Sequence, residues 1–148
     1  AKIISKAKNV SLVDTVKYEN LIMGHSYTVR GVLMDKKTGK PYEEDGKAVV
    51  GSTTFTSEGN GTAPVSFKLN TSKIAGKELV AYEKVYNEKG QLVATHEDIN
   101  NRDQTIRVAQ PTIPRTGDGS LLYMYLGLFL TSFVALASLT AIKRCVRL

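Results

Sequence analysis

The chain has 148 residues, which leaves room for one globular domain of ordinary size once an apolar C-terminal stretch is set aside. Its formal net charge is +6, but the basic residues form no stripe interleaved with aromatic residues, which argues against a nucleic-acid partner. The single cysteine, Cys145, lies beyond the apolar stretch. The domain therefore has no disulfide and no cysteine metal site, and we predict neither a cofactor nor a metal.

Short runs of alternating β-forming residues, separated by turn clusters, fill the sequence before the apolar stretch. Seven such runs in about a hundred residues predict an all-β, immunoglobulin-like β-sandwich. Only Thr71 to Lys77 hints at a helical turn. The predicted strands are Val10 to Tyr18, Ser26 to Asp35, Val49 to Thr56, Ala63 to Leu69, Leu79 to Tyr86, Leu92 to Glu97 and Gln104 to Val108.

Five polar residues interrupt faces that are otherwise apolar: Thr15, Asp35, Glu83, His96 and Gln104. Buried alone, each would cost several kcal/mol, on the order of 2 to 7 in an apolar medium. Each also has a plain structural explanation, since strand-end carboxylates are usually solvated and a lone histidine is usually a satisfied core residue. We expect the five to meet in the core, because that would satisfy them together.

Three spaced motifs carry a family resemblance: Asp14-Thr15-Val16, Val80-Ala81-Tyr82-Glu83, and His96-x-Asp98 followed by Gln104-Thr105. They resemble the T-Q ester domains, or VaFE repeats, of Gram-positive surface proteins, with tyrosine at the phenylalanine position of the repeat. The resemblance implies a CnaB-like sandwich in which an ester joins a threonine on the first strand to a glutamine on the last. The implied roles are cross-link for Thr15 and Gln104, base for His96, and acids for Glu83 and Asp35.

The chemistry suits these residue types. His96 can take the hydroxyl proton of Thr15 and later protonate the departing ammonia. Glu83 and Asp35, if close together on apolar faces, cannot both ionise cheaply, so one should keep a proton and donate to the carboxamide oxygen of Gln104. The reaction would run once per molecule, so we do not predict an enzyme. The cross-link would close a loop of about 90 residues, worth roughly 4 to 5 kcal/mol.

The segment from Leu121 to Ile142 contains no charged residue. As a helix its 22 or so residues would reach about 33 Å, enough to cross a bilayer. Lys143, Arg144 and Arg147 follow it and predict a cytoplasmic C-terminus, with the domain outside. An exported domain needs a signal peptide, and the lysines near Ala1 leave none, so we expect the chain to be the C-terminal piece of a longer precursor.

Ahead of that span stands the sequence Ile113-Pro114-Arg115-Thr116-Gly117. A Pro/Thr/Gly motif, an apolar span and a basic tail, in this order, resemble the LPxTG-type cell-wall sorting signal of Gram-positive surface proteins. The resemblance implies cleavage after Thr116 by a sortase, a transient partner, and transfer of its carboxyl to an amine of peptidoglycan or of a pilin. We thus expect a cell-wall or cell-surface protein whose precursor spans the membrane.

We predict five segments: a linker at 1–9, the β-sandwich domain at 10–109, a linker with the sorting motif at 110–120, a transmembrane helix at 121–142 and a basic tail at 143–148. The favoured function is a structural stalk module with a self-made Thr-Gln ester. The alternatives are an adhesin or pilin domain that binds a host or wall ligand, and a hydrolase using His96 and Asp98. No nucleophile elbow accompanies that pair, which disfavours the hydrolase.

Overall fold

The computed structural model describes residues 1–111 and 127–134, and these residues form strands, turns and loops without a helix. The longest strands carry alternating apolar residues, the pattern that favours sheets with one buried face. The strands are β1 (Lys2–Ile4), β2 (Val10–Tyr18), β3 (Ser26–Asp35), β4 (Lys40–Pro41), β5 (Glu43–Glu44), β6 (Lys47–Ala48), β7 (Val50–Thr56), β8 (Gly61–Leu69), β9 (Glu78–Asn87), β10 (Leu92–His96), β11 (Thr105–Val108) and β12 (Gly127–Val134).

Two sheets form the sandwich. The larger has the order β1-β11-β9-β3-β4, with β10 also beside β9 and β7 also beside β3. The smaller has the order β12-β2-β8, and β5 pairs with β6 separately. Strand β7 borders β8 on one side of the sandwich, and β10 borders β12 on the other. The prediction of an all-β class is therefore confirmed, whereas the immunoglobulin-like, CnaB-like topology stays a prediction.

The core lies between the sheets and is built from the inward residues of each strand. Leu12 and Val16 of β2, Phe67 of β8, and Leu33 of β3 are fully buried. Burying one such side chain stabilises the fold by about 1.5 to 3 kcal/mol relative to leaving it exposed. This layer sets which face of each strand points inward, and so which polar residues enter the core.

A pair of glycines lets the sheets approach each other. Gly31 of β3 and Gly51 of β7 are cross-strand neighbours. A Cβ on Gly31 would lie 2.5 Å from Cζ of Phe67, and a Cβ on Gly51 would overlap the carbonyl oxygen of Ser66. Both positions face β8, and Val65 packs over them with Cγ1 3.2 Å from the Cβ position of Gly31. Side chains at these two positions would push the sheets apart.

Two predicted segments within residues 1–111 differ from the structure. The predicted linker at 1–9 contains β1, which runs parallel to β11 with Lys2 level with Ile106 and Ile4 level with Val108. Ile4 is fully buried, so these residues belong to the sandwich. The predicted helical turn from Thr71 to Lys77 is a pair of turns. A three-residue strand is too short for an alternation to show, and its partner is about a hundred residues away in sequence.

The C-terminal part also differs from its prediction where it is described. Gly127–Val134 forms β12, parallel to β2 with Thr131 level with Thr15, so the predicted helix at 121–142 is not observed over these eight residues. The segment contains β-forming phenylalanine, threonine and valine, and β2 offers it an edge not used by β8. No helix in residues 1–111 and 127–134 is long and apolar enough to cross a membrane. The sorting motif at 113–117, the remainder of the predicted span and the basic tail lie outside the described residues.

We predict that Gly51→Ala lowers the free energy of unfolding by about 1 to 3 kcal/mol, the usual cost of forcing an extra methyl group into a packed core. The new Cβ would meet backbone, the carbonyl of Ser66, which cannot rotate away. Urea denaturation followed by circular dichroism measures the change. The control is Ser52→Ala on the exposed face of β7, which should stay within about 0.5 kcal/mol of wild type. Equal stabilities of Gly51→Ala and wild type would show that the sheets do not need this glycine.

Candidate functional site

Three of the predicted site residues meet at the middle of β9. Glu83 of β9 is level with His96, the last residue of β10. Gln104, directly before β11, places its Nε2 2.8 Å from Oε2 of Glu83, to which it donates a hydrogen bond. Glu83 and Gln104 are both fully buried. The structure thus places Glu83 beside both His96 and Gln104, whereas the chemical roles of these residues stay predictions.

The loop between β10 and β11 creates this meeting point. The side chain of Asp98 accepts a hydrogen bond from the backbone N–H of Asn100, and the backbone carbonyl of Asp98 accepts one from the N–H of Asn101. These turns lead the chain out of the sheet and back within eight residues, so β10 ends and β11 begins beside the same strand, both antiparallel to β9. The backbone N–H of Ala81 then donates to the carbonyl of Gln104 at 3.3 Å. Gln104 is thereby held on β9 by its main chain as well as by its side chain.

Asp14 is a buried carboxyl group that the sequence prediction missed. It is fully buried on β2, and neither of its side-chain oxygens has a hydrogen-bond partner among the described residues. The same is true of the side-chain oxygen of Gln104. Burying polar groups without partners is costly, so their persistence in one core marks a candidate reactive site. The alternation of Leu12, Asp14 and Val16 was the signal available in the sequence.

The strand registers direct Asp14 and Glu83 toward the same part of the core. In the larger sheet, Gly51, Gly31, Glu83 and His96 form one cross-strand row. In the smaller sheet, Asp14 is level with Val65, which packs over the two glycines. Strands β7 and β8 lie at one side of the sandwich, and β10 and β12 lie at the other. Moving by one strand toward β10 and β12 leads from Gly31 to Glu83 in the larger sheet and from Val65 to Asp14 in the smaller sheet. The two carboxyl groups therefore enter the same part of the core from opposite sheets.

Thr15 does not share this face. Inward residues of β2 alternate from Val10 to Tyr18 through Asp14, so Thr15 is on the opposite face and is only half-buried. The predicted inward position of Thr15 is therefore wrong. Leu12 and Val13 are both apolar, and the structure places Leu12, not Val13, in the core. The described structure does not bring the Thr15 hydroxyl to the carboxamide of Gln104.

Asp35 also lies away from the site. It is level with Leu79, whereas Glu83 is level with Gly31, four residues along β3 and so roughly 13 Å away. Its carboxylate forms an ion pair with Lys77 and accepts the N–H of Lys37 at 2.9 Å. Burial would raise the pKa of Asp35, but these hydrogen bonds and the charge of Lys77 hold it below its usual value. The predicted proton-sharing pair of Glu83 and Asp35 is thus wrong, because Asp35 is an ionised partner of a lysine at the end of β3.

Asp35 contributes to stability in a pH-dependent way. The pKa of Asp35 is lower in the folded state than in the unfolded chain, where it is about 4. Its contribution to the free energy of unfolding is therefore fully present above pH ~4, and it is lost as the pH falls through the pKa of the folded state. We predict that Asp35→Asn costs about 1.5 to 3 kcal/mol at pH 7, the value of a hydrogen bond to a charged group, and progressively less below pH ~4. Urea denaturation across pH measures this. Asp45→Asn, which removes an exposed carboxylate, is the control, and a pH-independent loss in Asp35→Asn would contradict the ion-pair interpretation.

Comparisons with known proteins identify the family. A family model for the T-Q ester bond containing domain matches residues 1–108, and no curated protein matches the chain. Two crystal forms, in space groups P1 and P21, of a Mobiluncus mulieris adhesin containing intramolecular disulfide, isopeptide and ester bond cross-links each show 17% identity and a TM-score of 0.47. Each match covers 59% of this chain and 44% of the adhesin chain, so the present chain spans less than half of that chain's length. Because the family model spans most of the sequence, the chain belongs to the T-Q ester bond containing domain family.

Proposed function

We propose that the chain is a structural stalk module of a cell-wall surface protein, stabilised by an intramolecular ester formed at Gln104. The carboxamide of Gln104 supports this most directly. It is fully buried, its nitrogen is hydrogen-bonded to Glu83, and its oxygen has no partner among the described residues. A core glutamine kept only for stability would be expected to satisfy both ends of its amide.

The reaction proceeds by attack of a hydroxyl oxygen on the side-chain carbonyl carbon of Gln104. A carbon–oxygen bond forms, the carbon–nitrogen bond breaks, and ammonia leaves. His96 takes the proton from the hydroxyl and passes it to the departing nitrogen, so no other reactant is consumed. Glu83 holds that nitrogen by its hydrogen bond and orients the carbonyl for attack. The closed core excludes water, which protects the ester after it forms.

Asp14 takes the role that the sequence prediction gave to Asp35. In its acid form the Asp14 carboxyl can donate to the bare oxygen of Gln104, where negative charge develops during attack. Removing one such donor typically lowers a rate by about 10²- to 10³-fold. The strand registers direct Asp14 and Glu83 into the same part of the core, and Glu83 accepts a hydrogen bond from Gln104. Asp14, Glu83 and His96 then surround the reacting amide.

Two positions can supply the hydroxyl. The family resemblance implies Thr15, but its side chain faces away from Gln104. The first strand of the structure is β1, not β2, and its register with β11 begins with Lys2 level with Ile106. Extended backwards by one residue, this register would make Ala1 level with Thr105. A residue joined ahead of Ala1 would continue β1 level with Gln104, on the same inward face as Lys2 and Ile4. A threonine at that preceding position fits the geometry better than Thr15.

Intact mass decides between these donors. We predict that a chain extended by threonine ahead of Ala1 loses the mass of one ammonia on folding, while alanine-extended and Gln104→Ala versions keep their sequence mass. Thr15→Ala in the threonine-extended chain should still react. If instead the 148-residue chain loses ammonia and Thr15→Ala abolishes the loss, Thr15 is the donor. If neither chain loses ammonia, the ester proposal is wrong.

The second part of the proposal is anchoring by a sortase. The enzyme would cut between Thr116 and Gly117 and transfer the Thr116 carboxyl through a thioester to an amine of peptidoglycan or a pilin. Proline at positions 111 and 114 disfavours helix and favours extended backbone, the form in which a cleft can bind a peptide as a strand. The linker from Ala109 to Thr116 spans at most about 25 Å in polyproline geometry. The domain would therefore lie at the base of the protein, close to the wall.

Incubation of the detergent-solubilised chain with a sortase and an amine probe tests the anchoring. We predict a new C-terminus at Thr116 that carries the probe, measured by peptide mass spectrometry. Thr116→Ala should block transfer, and Gln104→Ala should not, because the cross-link and the tail are separate sites. An uncut Thr116–Gly117 bond in the wild-type chain would contradict the sortase proposal and leave only a membrane anchor as the role of the tail.

A further inference from the structure

The side chain of Asn101, in the loop between β10 and β11, contacts both His96 and the backbone of Gln104. Oδ1 of Asn101 accepts the backbone N–H groups of Asp103 at 2.9 Å and of Gln104 at 3.3 Å. Nδ2 of the same amide lies 2.9 Å from Nε2 of His96. The carbonyl of Asn101 also accepts the hydroxyl of Thr105. Asn101 is therefore fixed at several points rather than free to turn.

These contacts determine which way the Asn101 amide faces. Two backbone N–H donors require an acceptor, so Oδ1 must point toward the main chain of Asp103 and Gln104. The donor Nδ2 then points to His96. Because Nδ2 can only donate, Nε2 of His96 must accept, and the proton of the neutral ring resides on Nδ1. The hydrogen-bond pattern thereby selects one of the two tautomers of His96.

We propose that Asn101 is a positioning residue for the cross-linking reaction, which sets the tautomer of His96 and fixes that ring relative to Gln104. The proposal rests on the ester function proposed above. A base must present its unprotonated nitrogen to the attacking hydroxyl, and in this tautomer that nitrogen is Nε2. Asn101 keeps Nε2 in the accepting state until the hydroxyl of the reacting residue replaces the amide as donor. The same amide holds the backbone of Gln104, so base and electrophile are held together until the hydroxyl arrives.

The tautomer can be measured without any cross-linking. In the uniformly ¹⁵N-labelled 148-residue chain, long-range ¹H–¹⁵N correlation spectra at neutral pH should show His96 protonated on Nδ1 and bare on Nε2. Asn101→Asp keeps an acceptor for the two backbone N–H groups but replaces the donor by an acceptor, so the proton should move to Nε2. Asn100→Asp, at the exposed neighbouring position, should leave the wild-type tautomer unchanged. A wild-type ring protonated on Nε2, or an unchanged tautomer in Asn101→Asp, would overturn the proposal.

The rate of ammonia release tests the consequence for the reaction, in whichever chain cross-links. Asn101→Ala should slow release by about 10²-fold, the lower end of the usual contribution of a positioned base. Asn101→Asp should also be slow and should change the pH profile of the rate, whereas Asn100→Asp should match wild type in both. An Asn101→Ala rate equal to wild type would refute the positioning role. If no chain releases ammonia, the ester function fails, and the tautomer measurement still decides whether Asn101 orients His96.

Discussion

The close approach of the two sheets over Gly31 and Gly51 is the constraint on which the candidate site depends. Because neither glycine has a side chain, Val65 packs directly against β3 and β7, and this close packing brings β2 toward β9. The next position along each sheet is then occupied by a carboxyl group, Asp14 above and Glu83 below. A larger residue in the glycine pair would separate these groups and admit water. The glycines would therefore influence the proposed chemistry through packing.

The polar groups of the site are costly for stability, and their arrangement makes sense as preparation for a reaction. Leaving a buried donor or acceptor unsatisfied costs about 1 to 3 kcal/mol per group. The side-chain oxygens of Asp14 and the amide oxygen of Gln104 incur this cost together. Proteins retain such features mainly where function requires them. In the proposed reaction the amide is consumed and the closed chain gains stability through loop closure, so the unsatisfied state would belong to the precursor of the cross-link.

The sequence predicts which polar residues are buried where the strand pattern is unambiguous. Glu83 follows Leu79 and Ala81 on one face, and Gln104 precedes Ile106 on another, so their burial could be foreseen. Thr15 was misassigned because consecutive apolar residues hide the inward face of β2, which only packing against the larger sheet resolves. Asp35 does share the inward face of β3, but alternation gives the face and not the distance along the strand. The strand β1 is set by pairing with β11, a contact across the whole domain that no local pattern contains.

That parallel pairing also determines how a cross-link would carry force. Strands β1 and β11 run side by side in the same direction, so opposite pulls on the two ends of the domain shear them along each other. An ester between Thr15 and Gln104 would leave β1 ahead of the bond, and force would strip it from β11 before the ester was loaded. An ester from the position ahead of Ala1 would pass the load directly into Gln104 and out through β11. Only the second arrangement shields β1 and the rest of the sandwich, which is the property a stalk under tension requires.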